Sequence, residues 1–407
     1  MKANRSTRRQ FLERSLVTGA GITAGLQAVS FDGTAWAEPV AYSSTVGISK
    51  GVDRADNAFR ALQLSKKQIA AAIGNKRVVI KVNLVAYPPS NNWAHTRADH
   101  VEGILEFLKS IGKHDVVIAE SAAGANTMAG YEAAGYWSLT DKYPVKLTDL
   151  NQEGFSHADI YLYGDSNNPA QRRIRICKTY LNPNNFIISA APIKTHNTVL
   201  VTLSGKNIGM SAPFIDIGFK WSQSGAVREK WWMHGYSGGT SFPPGDFQAL
   251  NDNVYRILAV YGIRPHLAVL DGYQGTEHNG PVSGTGIATP QKLALASLDW
   301  LAADRIALTL MGTNVYAVLN HRKEDGYAMP YPAVLNYCWQ AGLGEWDDRK
   351  IRVIGDLGEM PGDSLLGNAN VYNYQSSDNQ SAQMGMRMKP RDFLPGQSAL
   401  VNQIQET

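Results

Sequence analysis

Short β-rich runs that alternate with amphipathic stretches constrain the fold of this chain more than any other feature of its sequence. The runs fall at 78–82, 116–120, 145–148, 174–177, 186–190, 267–271, 293–297 and 351–354. The clearest amphipathic stretch, 98–111, puts Val101, Ile104, Leu105 and Leu108 on one helical face behind a cap at Thr96. Others are expected at 58–73, 247–261, 300–311 and 333–341. Alternation of this kind predicts an α/β fold with a mainly parallel sheet and helices on both faces, because a parallel crossover is usually made by a helix.

Two regions depart from the pattern. Residues 211–245 carry Trp221, Trp231, Trp232 and Tyr236 among several Gly and Pro residues, which predicts a long aromatic, Gly-rich loop or lid. From residue 367 onward Asn, Gln, Ser and Met dominate without apolar periodicity, so 367–407 is expected to be an extended or disordered arm. The organisation expected is therefore a leader at 1–37, one α/β domain over 38–366, and that arm.

The leader reads as a twin-arginine export signal. Ser6-Thr7-Arg8-Arg9-Gln10-Phe11-Leu12 precedes a weakly apolar, Gly-rich run at 16–29, and Ala35-Trp36-Ala37 supplies a small-x-small cleavage site. The expected partner during export is the twin-arginine translocase, and the expected location is periplasmic or extracellular. No permanent membrane span is expected, since Thr18, Thr23 and Gln27 interrupt a run that falls short of the ~20 strongly apolar residues a spanning helix needs. Lys2, Arg5, Arg8, Arg9 and Arg14 leave with the leader against only Glu13 and Asp32, so most of the formal charge of +4 leaves with it. Nucleic-acid binding, which rests on concentrated positive charge, loses its support. The cysteines, Cys177 and Cys338, form no Cys-x-x-Cys, which excludes a cysteine-ligated iron–sulfur cluster within the chain. Two structural thiols are favoured over a disulfide, because the twin-arginine route carries proteins that have already folded.

The β-rich runs end in polar groups. Lys81 and Asn83 close the first, Glu120 and Ser121 the second, Lys194 and His196 the fifth, and Asp271 the sixth. Ligands of open parallel sheets bind outside the carboxyl ends of the strands, where loops and helix amino termini converge. Lys81 interrupts an apolar run, where burial would depress its pKa unless Glu120 or Asp271 neutralises it; the plain alternative is a lysine that reaches solvent. Lys194 and His196 flank Thr195 and point to one side of an extended chain, a pairing suited to binding a carboxylate or phosphate with imidazole as acid or base. Thr198, Lys206 and Asn207 follow on the same segment, and Lys206 has no upstream phosphate-loop glycine pattern. Arg228 and His234 flank the Trp pair of the expected lid and could close over an anion, or cover aromatic surface as solvated charges. Asp271 and Glu277 lie in a Gly-rich stretch and could hold a divalent metal, although no His-x-His or Glu-x-x-His pattern accompanies them. Asp299 reads as a helix cap.

These motifs resemble the family called domain of unknown function 362. The resemblance lies in Ile80-Lys81-Val82-Asn83, Glu120-Ser121, Pro192-Ile193-Lys194-Thr195-His196 with Thr198, Thr202, Lys206 and Asn207, Arg228 and His234, and Asp271-Gly272 through Glu277, Gly280 and Pro281. It continues through Asp299 and Asp304 and covers roughly 75–315. It implies an α/β fold and no settled reaction. Some relatives carry ferredoxin-like cysteine clusters, from which this chain departs. A distant, fold-level similarity to the nickel-pincer lactate racemases assigns no nickel site here.

The resulting expectation is an exported enzyme acting on a small anionic substrate. Lys81, Lys194 and His196 would serve anion binding and acid/base work, with Glu120, Asp271 and Glu277 as counter-charges or metal ligands. The alternatives are a periplasmic binding or scaffold protein without chemistry, and an accessory protein for assembling a redox enzyme.

Overall fold

A computed structural model describes residues 41–374 apart from 86–91, 124–125, 163–169, 197–198, 216–228, 236–245, 279, 281–283, 288–291, 313–332, 366–367, 369–371 and 373. All of these belong to the unit Ala41–Thr407. In chain order its elements begin with β1 (Ser44–Lys50), α1 (Arg54–Gln63), α2 (Lys66–Ile73), β2 (Arg77–Lys81), α3 (Ala98–Ser110) and β3 (Val116–Glu120). They continue with α4 (Thr127–Ala133), α5 (Trp137–Lys142), β4 (Val145–Asp149), β5 (Phe155–Leu162), β6 (Ala170–Cys177), β7 (Asn185–His196), β8 (Leu200–Thr202) and α6 (Ser204–Gly209). The remainder comprises α7 (Glu229–Trp232), α8 (Asp246–Tyr255), β9 (Leu267–Glu277), β10 (Thr285–Ile287), β11 (Leu293–Ser297), α9 (Trp300–Leu310), α10 (Ala333–Gln340), β12 (Ile351–Gly355) and β13 (Met360–Pro361).

The fold is α/β, as the alternation predicts. An 11-stranded sheet runs in the order β13-β12-β1-β11-β9-β7-β2-β3-β4, with β10 on β9 and β8 on β7. The block from β9 through β7, β2 and β3 to β4 is parallel throughout, whereas β11 lies antiparallel to both β1 and β9. The run at 174–177 does not join this sheet. It belongs to β6, which pairs with β5 in a separate antiparallel hairpin.

Side-chain alternation on the central strands fills both faces. Val78, Ile80, Phe186, Ile188 and Val269 pack with Ala58 and Leu62 of α1, Ile69 of α2 and Ile104 and Leu108 of α3. Val79, Ile187, Ala191, Ala268 and Leu270 pack on the opposite face with Ile208 of α6, Val254 of α8 and Ile306 of α9. Every residue of β7 is buried, which explains why its sequence reads as a continuous apolar run until Lys194.

Several boundaries differ from expectation for local reasons. The stretch 58–73 is two helices, with Asp53 accepting from the amide of Asp56 to start α1 and Gly74, at φ +54°, closing α2. Thr96 does not cap α3. Its Oγ1 accepts from the amide of Asn83 at 2.8 Å and donates to the carbonyl of Ala190 at 2.7 Å, so it ties the loop after β2 to β7. Asp299 does cap its helix, accepting from the amides of Leu301 and Ala302.

The order of connections places a switch point. The chain leaves β2 toward β3 and β4 on one side, and leaves β7 toward β9 on the other, so β2 and β7 flank the point where the sheet order reverses. In open α/β sheets the carboxyl ends of the strands at such a point form the ligand-binding crevice.

Candidate functional site

Lys81 is the last residue of β2, and its ammonium is buried against the carboxylate of Glu120 at the end of β3, 2.6 Å away. It also donates to Asn207 Oδ1 at 3.0 Å and to the carbonyl of Val82. Glu120 is held in turn by the amides of Leu84 and Ser121. Desolvation pushes the lysine below its ordinary pKa, and Glu120 pulls it back only in part.

Asn207 is the centre of a side-chain network. Its Oδ1 accepts from Lys81 and from Asn83 Nδ2 at 3.0 Å, and its Nδ2 donates to Ser189 Oγ of β7 at 3.0 Å and to the carbonyl of Lys81 at 3.2 Å. The helix that carries it, α6, is anchored by Asp304 of α9, which accepts from Ser204 Oγ and from the amides of Ser204 and Gly205. Burial raises the Asp304 carboxyl to about 7 against those three donors.

Lys194 stands on β7 beyond the end of β2. It donates to Asn83 Oδ1 at 2.7 Å and to the carbonyl of Ala94 at 2.6 Å, both uncharged acceptors. Complete burial, then the charges of Lys206 and Lys81, hold its amine well below the ordinary value despite Glu120. His196, two residues on, is buried, and its Nδ1 accepts from the amide of Val199 at 3.3 Å. Burial and then Lys206, His234 and Lys194 push its pKa well down, so the imidazole is neutral at physiological pH.

The structure therefore brings Lys81, Asn83, Glu120, Ser121, Lys194, His196, Lys206 and Asn207 together at one end of the sheet. His234 lies within electrostatic range of His196. Thr198 and Arg228 lie outside the described residues. Asp271 is placed elsewhere in the hydrogen-bond pattern: Arg54 of α1 reaches its Oδ2 at 3.3 Å, and its Oδ1 accepts from the amide of Tyr273. It is Glu120, not Asp271, that neutralises Lys81. Glu277 is buried at the end of β9, 3.7 Å from His278 Nε2. Among the described residues no group of three or more His, Cys, Asp or Glu is gathered to hold a metal ion.

Two members of the site carry no clear sequence signal. Lys230 follows Glu229 and precedes a Trp pair, a context that reads as solvated charge over aromatic surface. The two part company instead: Glu229 is buried in a two-pronged pair with Arg175 of β6, at 2.6 and 2.7 Å, while Lys230 turns into the cleft. Its ammonium donates to Ser121 Oγ and to the carbonyl of Met210, both at 2.8 Å. Burial brings its pKa down to about 7, with Glu120 raising it and Lys81 lowering it. His95, next to the carbonyl that Lys194 binds, is buried with Nε2 unpartnered, and burial plus Lys194 and Arg97 lower its pKa to about 3.

An open groove of about 1,100 Å³ lies away from this cluster. It runs beneath β3 and β4 past Lys178 and Asn182 and is lined by none of the cluster's residues. Both cysteines are buried free thiols, Cys177 on β6 and Cys338 on α10. Among the described residues no helix is long and apolar enough to cross a membrane.

The family model described as domain of unknown function (DUF362) matches residues 78–309, more than half of the chain, and the chain belongs to that family. No curated protein matches it. Among solved structures it is similar to a protein from Thermotoga maritima, at 9% identity and a TM-score of 0.35. That match covers 58% of this chain and 55% of the other, so the chain spans about half the length of that protein.

Proposed function

We propose that this member of the domain of unknown function 362 family is an exported enzyme that binds a small carboxylate or phosphate substrate at the strand-end cluster and acts on it by acid/base chemistry. The observation that carries this reading is the imbalance of buried charge. Lys81 has Glu120 as its counter-ion, whereas the hydrogen-bond acceptors of Lys194 and Lys230 are all uncharged. Desolvated ammonium groups are costly without an anion. A bound carboxylate or phosphate would restore their ordinary basicity, and His196, neutral when the site is empty, could then accept or return a proton. Export rests on the twin-arginine leader, which places this chemistry in the periplasm or outside the cell.

The sign of the pH effect follows. With Lys230 at about 7 in the free protein, the amine is largely neutral at pH 8, and an anion that raises its pKa must bring a proton with it. Calorimetric titration of the purified full chain with inorganic phosphate and with succinate is expected to show saturable binding, net proton uptake at pH 8, and affinity that falls as pH rises above 7. Lys194→Met should weaken binding at least about tenfold, the scale of one charge-assisted hydrogen bond. His196→Ala, with folding monitored by circular dichroism, should lower binding or turnover. If both variants bind as the parent does, or neither probe binds the parent, the site assignment is wrong; binding without turnover of any anionic substrate would favour a carrier over an enzyme.

A further inference from the structure

Ser121 follows Glu120 at the carboxyl end of β3, on the loop that opens toward the switch point between β2 and β7. Its Oγ lies 2.8 Å from Lys230 Nζ and 2.8 Å from the carbonyl of Ser211. That carbonyl's residue is fixed in turn, because Ser211 Oγ donates to the carbonyl of Ile208 at 2.9 Å and also meets the hydroxyl of Tyr180. Lys230 is oriented from its other side by the carbonyl of Met210. A hydroxyl, an amine within hydrogen-bond reach and a third group that orients the amine are the parts of an activated serine nucleophile.

We propose that Ser121 and Lys230 form a nucleophile–base pair that hydrolyses a small carboxylic ester. The pair stands on its own geometry and not on the function proposed above. In the first half, Ser121 Oγ bonds to the ester carbonyl carbon as its proton passes to Lys230 Nζ. The carbon–oxygen bond to the alcohol then breaks, and Lys230 returns the proton to the departing oxygen. In the second half, water attacks the acyl-serine, Lys230 takes its proton, and the proton goes back to Ser121 as the acid leaves. One ester and one water give one acid and one alcohol, with no change of oxidation state.

The amine must be unprotonated to begin, and a buried lysine meets that need. The groups that act on it electrostatically are Glu120, Lys81, Asp149 and Cys177, and with burial they bring its pKa to about 7.

The test is covalent labelling of the full chain with diisopropyl fluorophosphate, read by peptide mass spectrometry. One phosphoryl adduct is expected on Ser121, forming faster as pH rises with a midpoint near 7. Ser121→Ala should abolish it, and Lys230→Met should slow it about 100-fold or more, the usual share of a general base. Lys230→Arg should not restore it, because a guanidinium keeps its proton; this variant and the pH profile decide the matter if Lys230→Met fails to fold. No adduct at Ser121, a rate flat across pH 6 to 9, or full labelling in Lys230→Arg would overturn the pair. Phosphate titration of the same samples separates the two readings. Uptake without labelling sinks the pair alone, and labelling without uptake sinks the anion site alone.

Discussion

Glu120 shows how much one residue carries in this site. Its carboxylate takes the ammonium of Lys81 and two backbone amides, so it satisfies a buried charge and fixes the turn from which Ser121 projects. Glu120→Gln keeps the shape and removes the counter-charge, leaving Lys81 buried among neutral groups. The expected cost is about 3–5 kcal/mol in urea unfolding, the range for breaking one partner of a buried ion pair. Pairing it with Lys81→Met should recover much of the loss, because the uncompensated charge is then gone. A single-variant change below about 1 kcal/mol would mean that the pair is not charged in the folded protein. At this scale the sequence was informative where a polar residue interrupts an apolar strand, as at Lys81 and Lys194. It was silent on Lys230, since nothing near it in the chain reveals that Arg175 takes Glu229 and leaves the lysine to turn inward.

Among elements, α6 decides the geometry. This six-residue helix delivers Lys206 and Asn207, and it lies close against α9, where Asp304 holds its first amides. Gly205 permits the approach: a Cβ there would stand 2.4 Å from Trp300 Cζ3. Gly205→Ala is therefore expected to cost about 1–3 kcal/mol through overpacking, and to weaken phosphate binding by displacing Asn207 from Lys81. Thermal unfolding with a parallel titration checks both, and an unchanged melting temperature would show that the helix has room to move. Periodicity located long elements well, as for 98–111, whose apolar face is continuous. It missed β5, which buries only Ala158, Ile160 and Leu162 and has the polar Ser156 and His157 near its start, and it joined α1 to α2 because the break at Leu64 and Ser65 does not disturb the apolar spacing.

For the whole molecule, the sheet order brings distant segments to one end of the sheet, while the proposed export rests on the first residues. Replacing Arg8 and Arg9 together by Lys should strand the full chain in the cytoplasm of a host with a twin-arginine translocase, with the periplasmic fraction falling to background. Undiminished export would show that the leader is read by another route. The sequence by itself determined the fold class, the polar strand ends and the family, because each is a property of local pattern: period, interruption and motif. Only the tertiary structure decided the pairings, namely that Glu120 and not Asp271 answers Lys81, that Arg54 engages Asp271, and that Lys230 meets Ser121. The polar strand ends are thus determined twice, in kind by the residues and in pairing by the strand order. Pairing depends on which strands become neighbours, and that follows from burying both faces of the sheet at once, which no single segment encodes.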